Sequence, residues 1–89
     1  MLIQELTQDE CSSILARTRL GRLACVHMNQ PYIVPIYFAY EPPYLYAFTT
    51  LGQKIEWMRY NPLVCVEVDH VRDSEHWESV LVFGRYEEL

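Results

Sequence analysis

Polar and apolar positions first organise into a helix over residues 8–18. Cys11, Ile14 and Leu15 recur at helical spacing, and Thr7 with Glu10 forms a T-x-x-E capping box. Gly21 stands where a helix-terminating glycine belongs. Beyond it the period changes. Leu23–Met28 is a short apolar run closed by Asn29-Gln30 before Pro31, whereas Tyr32–Tyr40 is apolar at odd and even positions alike. The second pattern predicts a strand covered on both faces. Pro35 inside it cannot donate to a ladder and so marks an edge or a bulge. Glu41-Pro42-Pro43 reads as a turn, and Tyr44–Thr49 as the returning arm of a hairpin. A second helix is expected over residues 51–60, opened by Thr50 and Gln53, facing inward with Leu51, Ile55 and Met58, and stopped by Asn61-Pro62. Leu63–Val71 and Trp77–Tyr86 are the last strands, joined by the polar loop Arg72–Glu75, with Trp77, Ser79, Leu81 and Phe83 on one face.

The order helix, three strands, helix, two strands is mainly β. It predicts a small antiparallel barrel partly closed by helices. Five strands close a barrel poorly, so a sixth strand from a longer parent, or a partner, is expected to cover the gap. Composition sharpens this. The chain has 89 residues, enough for one domain, yet 51% are apolar. A chain that short buries only about 60–65% of its unfolded surface, so part of the apolar surface is expected to face a partner subunit.

The net charge of −5 is spread along the chain, which argues against a nucleic-acid surface. Arg17, Arg19 and Arg22 form a short basic group, read as a solvated helix end. Cys11, Cys25 and Cys65 stand at unrelated spacings with no disulfide framework. Reduced thiols without a signal peptide point to the cytoplasm. No apolar run is long enough to span a bilayer. His27, His70 and His76 are scattered, and no metal-ligand spacing is recognisable.

The most informative stretch is Tyr46-Ala47-Phe48-Thr49-Thr50-Leu51-Gly52-Gln53-Lys54, a strand end running into a helix start. Unpaired amides at a helix N-terminus, two hydroxyls, a glycine and a lysine one turn in are the parts of a phosphate site. A capped helix carrying a surface lysine explains the same residues. The P-loop pattern is absent, which sets aside nucleotide triphosphatases. Tyr32, Tyr37, Phe38, Tyr40, Tyr44, Tyr46 and Phe48 crowd one hairpin; most suit sheet and interface packing, and the remainder offer a platform for a flat ring.

The order of these segments carries a resemblance. Gly21-Arg22-Leu23-Ala24, Pro31-Tyr32-Ile33-Val34-Pro35-Ile36, Leu45 through Lys54, Asn61-Pro62-Leu63-Val64-Cys65 and Trp77 through Tyr86 follow one another at natural spacing. Together they resemble the pyridoxamine 5′-phosphate oxidase-like, FMN-binding split-barrel proteins, in the branch with flavin-nucleotide-binding and nitroimidazole-reductase-like members. The resemblance implies a split β-barrel homodimer with FMN in a cleft between subunits. It implies an isoalloxazine edge along Pro35, Ile36, Tyr37 and Phe38, held largely by backbone groups, and a phosphate at Thr49, Thr50 and Lys54, with Phe48 and Gln53 in the same segment. Trp77 and Ser79 would line that cleft. The implied function is an FMN-dependent oxidoreductase acting on a small molecule; a flavin-binding or dimerisation module without turnover has the same motifs. The strand Ile33–Phe38 holds no cation, which argues against a second, substrate phosphate, and Phe48 replaces a histidine frequent in nitroimidazole-reductase-like members. Family members run on past the strand of Gly84-Arg85-Tyr86, so a single domain over residues 1–89 lacking a C-terminal part is expected.

Overall fold

A computed structural model describes residues 6–47 and 53–88, with the side chains of the second helix from Ile55 onward. In chain order the elements are α1 (Gln8–Arg17), β1 (Leu20–His27), β2 (Gln30–Glu41), β3 (Tyr44–Ala47), α2 (Gln53–Tyr60), β4 (Leu63–Asp73) and β5 (His76–Arg85). The strands form one antiparallel sheet ordered β3-β2-β1-β4-β5.

Helix α1 begins as its sequence prescribes. Thr7 accepts from the Glu10 amide at 3.1 Å, while the Glu10 carboxylate accepts from the Thr7 amide at 3.0 Å. Those bonds hold the Glu10 carboxyl below its usual range. Its other end differs from the expectation. Thr18 caps it in an extended conformation, its hydroxyl donating to the Ile14 carbonyl at 2.6 Å. Gly21 is no helix terminator; it sits buried inside β1.

Alternation along the strands divides the sheet into a covered and an open face. Leu23 and Cys25 of β1, Phe38 of β2, Val66 and Val68 of β4 and Val80 of β5 are buried on the covered side. Ile14 and Leu15 of α1 pack there with Phe38, Val68 and Val80, and Ile55 and Met58 of α2 pack with Leu23, Cys25 and Val66. Leu45 of β3 and Val82 of β5 each touch both groups, although their strands lie at opposite edges of the sheet. Flat, those edges would stand about 19 Å apart at ~4.8 Å per strand. The sheet therefore curls toward closure, and the predicted split barrel is the observed fold. Burial also pushes the Cys25 thiol above its ordinary range, as suits an inert core residue.

Helix α2 is held by an aromatic group at the β1–β2 end. The Trp57 ring lies 5.5 Å from His27 and 5.3 Å from Tyr32, and Tyr60 lies 5.2 Å from His27. Asn61 then bridges elements, donating to the Val26 carbonyl and accepting from the Leu63 amide, both at 3.2 Å. The β4–β5 hairpin is tied by Asp73, whose carboxylate accepts from the Glu75 amide at 2.8 Å and the His76 amide at 2.9 Å. These contacts, with the His76 ring beside them, hold its carboxyl below the ordinary value.

The β1–β2 turn supplies one test. Met28 and Asn29 both have positive φ, 50° and 65°, the pattern of a two-residue type I′ hairpin. Asparagine tolerates that region; methionine has no local hydrogen bond to offset it and is 86% exposed here. A left-handed conformation costs an ordinary residue roughly 1–2 kcal/mol. Met28→Asn is therefore expected to stabilise the fold by about 0.5–1 kcal/mol, read as a rise of a few degrees in thermal midpoint; a fall would mean that Met28 contributes more by contact than it loses in backbone strain.

Candidate functional site

The open face of the sheet collects most of the residues singled out for chemistry. Along β2 the odd positions Ile33, Pro35 and Tyr37 point to this side and are exposed, Tyr37 by 74%. Trp77 and Ser79 of β5 are exposed on the same side, beside Leu81 and Phe83. Ile36 and Phe38 face the other way: Ile36 is half-buried against the α2 group and Phe38 is buried under α1. Their backbone polar groups address β1, so on this stretch the free edge is presented by Ile33, Pro35 and Tyr37. The expectation that β2 is covered on both faces fails within one protomer, because nothing in the chain packs over Ile33 and Tyr37 among the described residues.

Backbone polarity explains why β2 suits a planar heterocycle. The Phe38 amide donates to the Arg19 carbonyl at 2.8 Å, so by alternation residues 36 and 34 also address β1. The polar groups of Ile33, Pro35 and Tyr37 then address the opposite edge. Strand β3 pairs only with Phe38–Glu41, so among the described residues Gln30–Tyr37 has no partner on that edge. Pro35, which cannot donate, sits in this stretch in regular register opposite Arg22, so it marks an edge and not a bulge. Ala47, the last residue before the candidate phosphate segment, pairs with Phe38.

Phe48, Thr49 and Thr50 lie outside the described residues, as do Leu51 and Gly52 and the second capping box. Gln53 and Lys54 open α2, with their side chains likewise outside the description.

One feature of this face was not anticipated. Arg22 is not part of a solvated helix end: it projects from β1 onto the open face, opposite Glu67 of β4. Its guanidinium reaches Asp69 Oδ2 at 3.3 Å and Glu67 Oε1 at 3.6 Å. Asp69 belongs to β4 as well, inside the strand read over Leu63–Val71. Glu67 Oε1 is shielded from solvent and has no hydrogen-bond partner among the described residues. Burial, then the neighbouring Asp69, raises the Glu67 carboxyl above its ordinary range, with Arg22 opposing. Alternation offered the signal: Glu67 and Asp69 are two apart in a strand otherwise apolar over Leu63–Val68.

No described helix is long and apolar enough to cross a membrane.

Comparison with known proteins places this face in context. An uncharacterised protein of Rhizobium meliloti is 44% identical over all 89 residues, which span 59% of its length. A solved FAD-binding protein from Mesorhizobium loti is 53% identical, with a TM-score of 0.94 over the whole of this chain and 64% of that one. The FAD-binding protein from Mycobacterium smegmatis is 31% identical, with a TM-score of 0.76 over 90% of this chain and 66% of that one. The chain thus spans less than two thirds of the length of the first two relatives. Residues 7–89 match the family model described as pyridoxamine 5′-phosphate oxidase, and the chain belongs to that family.

Proposed function

We propose that this chain binds a flavin in a cleft formed by two copies of itself, and serves as a flavin-dependent oxidoreductase toward a small molecule. The observation that carries this reading is the juxtaposition on β2: an edge with outward backbone donors and acceptors over Gln30–Tyr37, next to an uncovered face bearing Pro35 and Tyr37. A flavin's pyrimidine edge alternates donors and acceptors, and a strand edge matches that alternation without any charged side chain. Thr49, Thr50 and Lys54, flanked by Phe48 and Gln53, would hold the phosphate; Tyr37, Trp77 and Ser79 would wall the ring system. When bound, the flavin supplies the redox chemistry, and the protein supplies orientation and shielding from water.

The second copy is argued from the size and charge of the open face. Four strands about 4.8 Å apart and some eight residues long present roughly 500 Å² per protomer, or ~1,000 Å² in a symmetric pair. That lies close to the lower bound of stable interfaces. Leu20, Val26, Ile33, Tyr37, Leu81 and Phe83 line it, and Arg22 beside Glu67 and Asp69 makes it complementary to its own copy across a two-fold axis.

FMN and FAD share the mononucleotide half that these residues would contact, so both serve as probes. Titration followed by flavin fluorescence is expected to show saturable binding of one or both. Lys54→Ala is expected to weaken it about 10- to 100-fold, the loss of one charge-assisted phosphate contact of ~1.5–3 kcal/mol. A folded chain that binds neither flavin overturns the proposal.

A further inference from the structure

The charged group at the centre of the open face has a composition that a simple docking surface does not need. Each protomer presents one cation, Arg22, and two carboxylates, Glu67 and Asp69, within a surrounding of Leu20, Pro35 and Leu81. All three side chains are partly shielded already, at 48%, 28% and 31% exposure. In a symmetric pair, two Arg22 guanidinium groups would meet four carboxylates away from water, while Arg85, also exposed on this side of β5, sits four residues along from Leu81, the register partner of Glu67. Buried charge without a counter-charge is costly, and protonating one carboxyl per protomer removes the excess around Arg22.

We infer that association of two copies through this face is coupled to proton uptake by Glu67, so that the dimer tightens as pH falls. This rests on the homodimer of the proposed function. Glu67 is the group that takes the proton because of what surrounds it. From β1 it faces Arg22, and on its own strand Asp69 and Cys65 share its side. From β5 it faces Leu81, its register partner, with Ser79 and Phe83 on either side and no ionisable group among them. Beyond β1 on β2 lies Pro35, with Tyr37 next along that face. Asp69 has the nearer contact to the guanidinium, at 3.3 Å against 3.6 Å, and Glu67 Oε1 makes no hydrogen bond among the described residues.

The sign follows from linkage. A carboxyl already displaced upward in the protomer, and further desolvated by a second copy, binds its proton more tightly in the dimer. Association therefore takes up protons in the pH range above the ordinary glutamate value, and weakens as pH rises through that range. Two copies bring two such groups, so the dissociation constant changes by up to about 100-fold per pH unit where both titrate.

Sedimentation equilibrium of the full chain between pH 5 and pH 8, on the wild type and on Glu67→Gln, tests this. The wild-type dissociation constant is expected to tighten at least tenfold toward pH 5. Glu67→Gln, a permanent mimic of the protonated form, is expected to hold the tight value throughout. Asp69→Asn, which leaves Glu67 in place and removes the neighbouring negative charge, is expected to shift the wild-type transition to lower pH. A dimer equally pH-dependent in wild type and Glu67→Gln overturns the inference while leaving the homodimer intact. No dimer at any pH in any variant overturns the homodimer, and the inference with it.

Discussion

Replacing Gly21 by alanine is expected to lower stability by about 2–3 kcal/mol, through overpacking at a backbone crossing. A Cβ added there would stand 2.9 Å from the Glu67 carbonyl oxygen, 3.0 Å from Val68 Cγ1 and 3.1 Å from Phe38 Cε1. The nearest of these is backbone, which cannot swing aside. The other two belong to the best-buried part of the core, where Val68 is fully enclosed and Phe38 is packed under α1. In a domain this small, such a loss is expected to take about 10–20 °C from the thermal midpoint. Phe38→Leu in the same background is expected to recover part of it, since the ring edge is one of three obstacles and the carbonyl remains. An unchanged midpoint in Gly21→Ala would mean that β1 and β4 can separate freely here, and that the curled sheet is looser than its packing implies.

That glycine shows where sequence reasoning succeeds on this chain and where it stops. The helix, the hairpin and the order of strands were legible because each rests on local chemistry. Thr7 and Glu10 cap α1 as read, Ile55 and Met58 of α2 face inward, and Trp77, Ser79, Leu81 and Phe83 share a side of β5. Gly21 stood three residues past the helix and read as its stop. A glycine selected for positive φ and one selected for lack of a Cβ look identical in sequence, and only the crossing of β1, β4 and the Phe38 ring distinguishes them. Arg22 failed for a related reason. Beside Arg17 and Arg19 it read as a helix-end cation, but its partners are 45 and 47 residues away. No local pattern announces a pairing across two strands. For the candidate site, the strand Pro35–Phe38 was legible as a segment, but the face each side chain takes follows from register: Pro35 and Tyr37 on the open side, Ile36 and Phe38 toward the core. The candidate phosphate segment rests on the order of its residues alone, since Phe48–Gly52 lie outside the described residues.

The open face also yields the sharpest separation between folding and function. Phe83 lies on the edge strand β5, at the end of the row Ile33, Ala24, Cys65, Phe83, and is 79% exposed in the protomer. Phe83→Asp therefore removes little from the core of a single copy, and the expected cost to protomer stability is within about 1 kcal/mol, the span of strand propensity. In the pair the same change places a carboxylate against the apolar row of Ile33, Ala24 and Cys65, where its desolvation is costly. The dimer dissociation constant is expected to rise at least 100-fold, about 2.7 kcal/mol at 1.4 kcal/mol per decade. Flavin affinity is expected to fall in the same preparation, although Thr49, Thr50 and Lys54 are untouched, because Pro35, Tyr37, Ser79 and Trp77 stand on a face that a second copy must cover to enclose a ring. Sedimentation and a flavin titration on one sample separate the possibilities. A monomer that binds flavin as the wild type does would place the site within one protomer. A variant that still pairs at wild-type affinity would show that this face is not where two copies meet, and the excess of carboxylates around Arg22 would then be a feature of solvated surface.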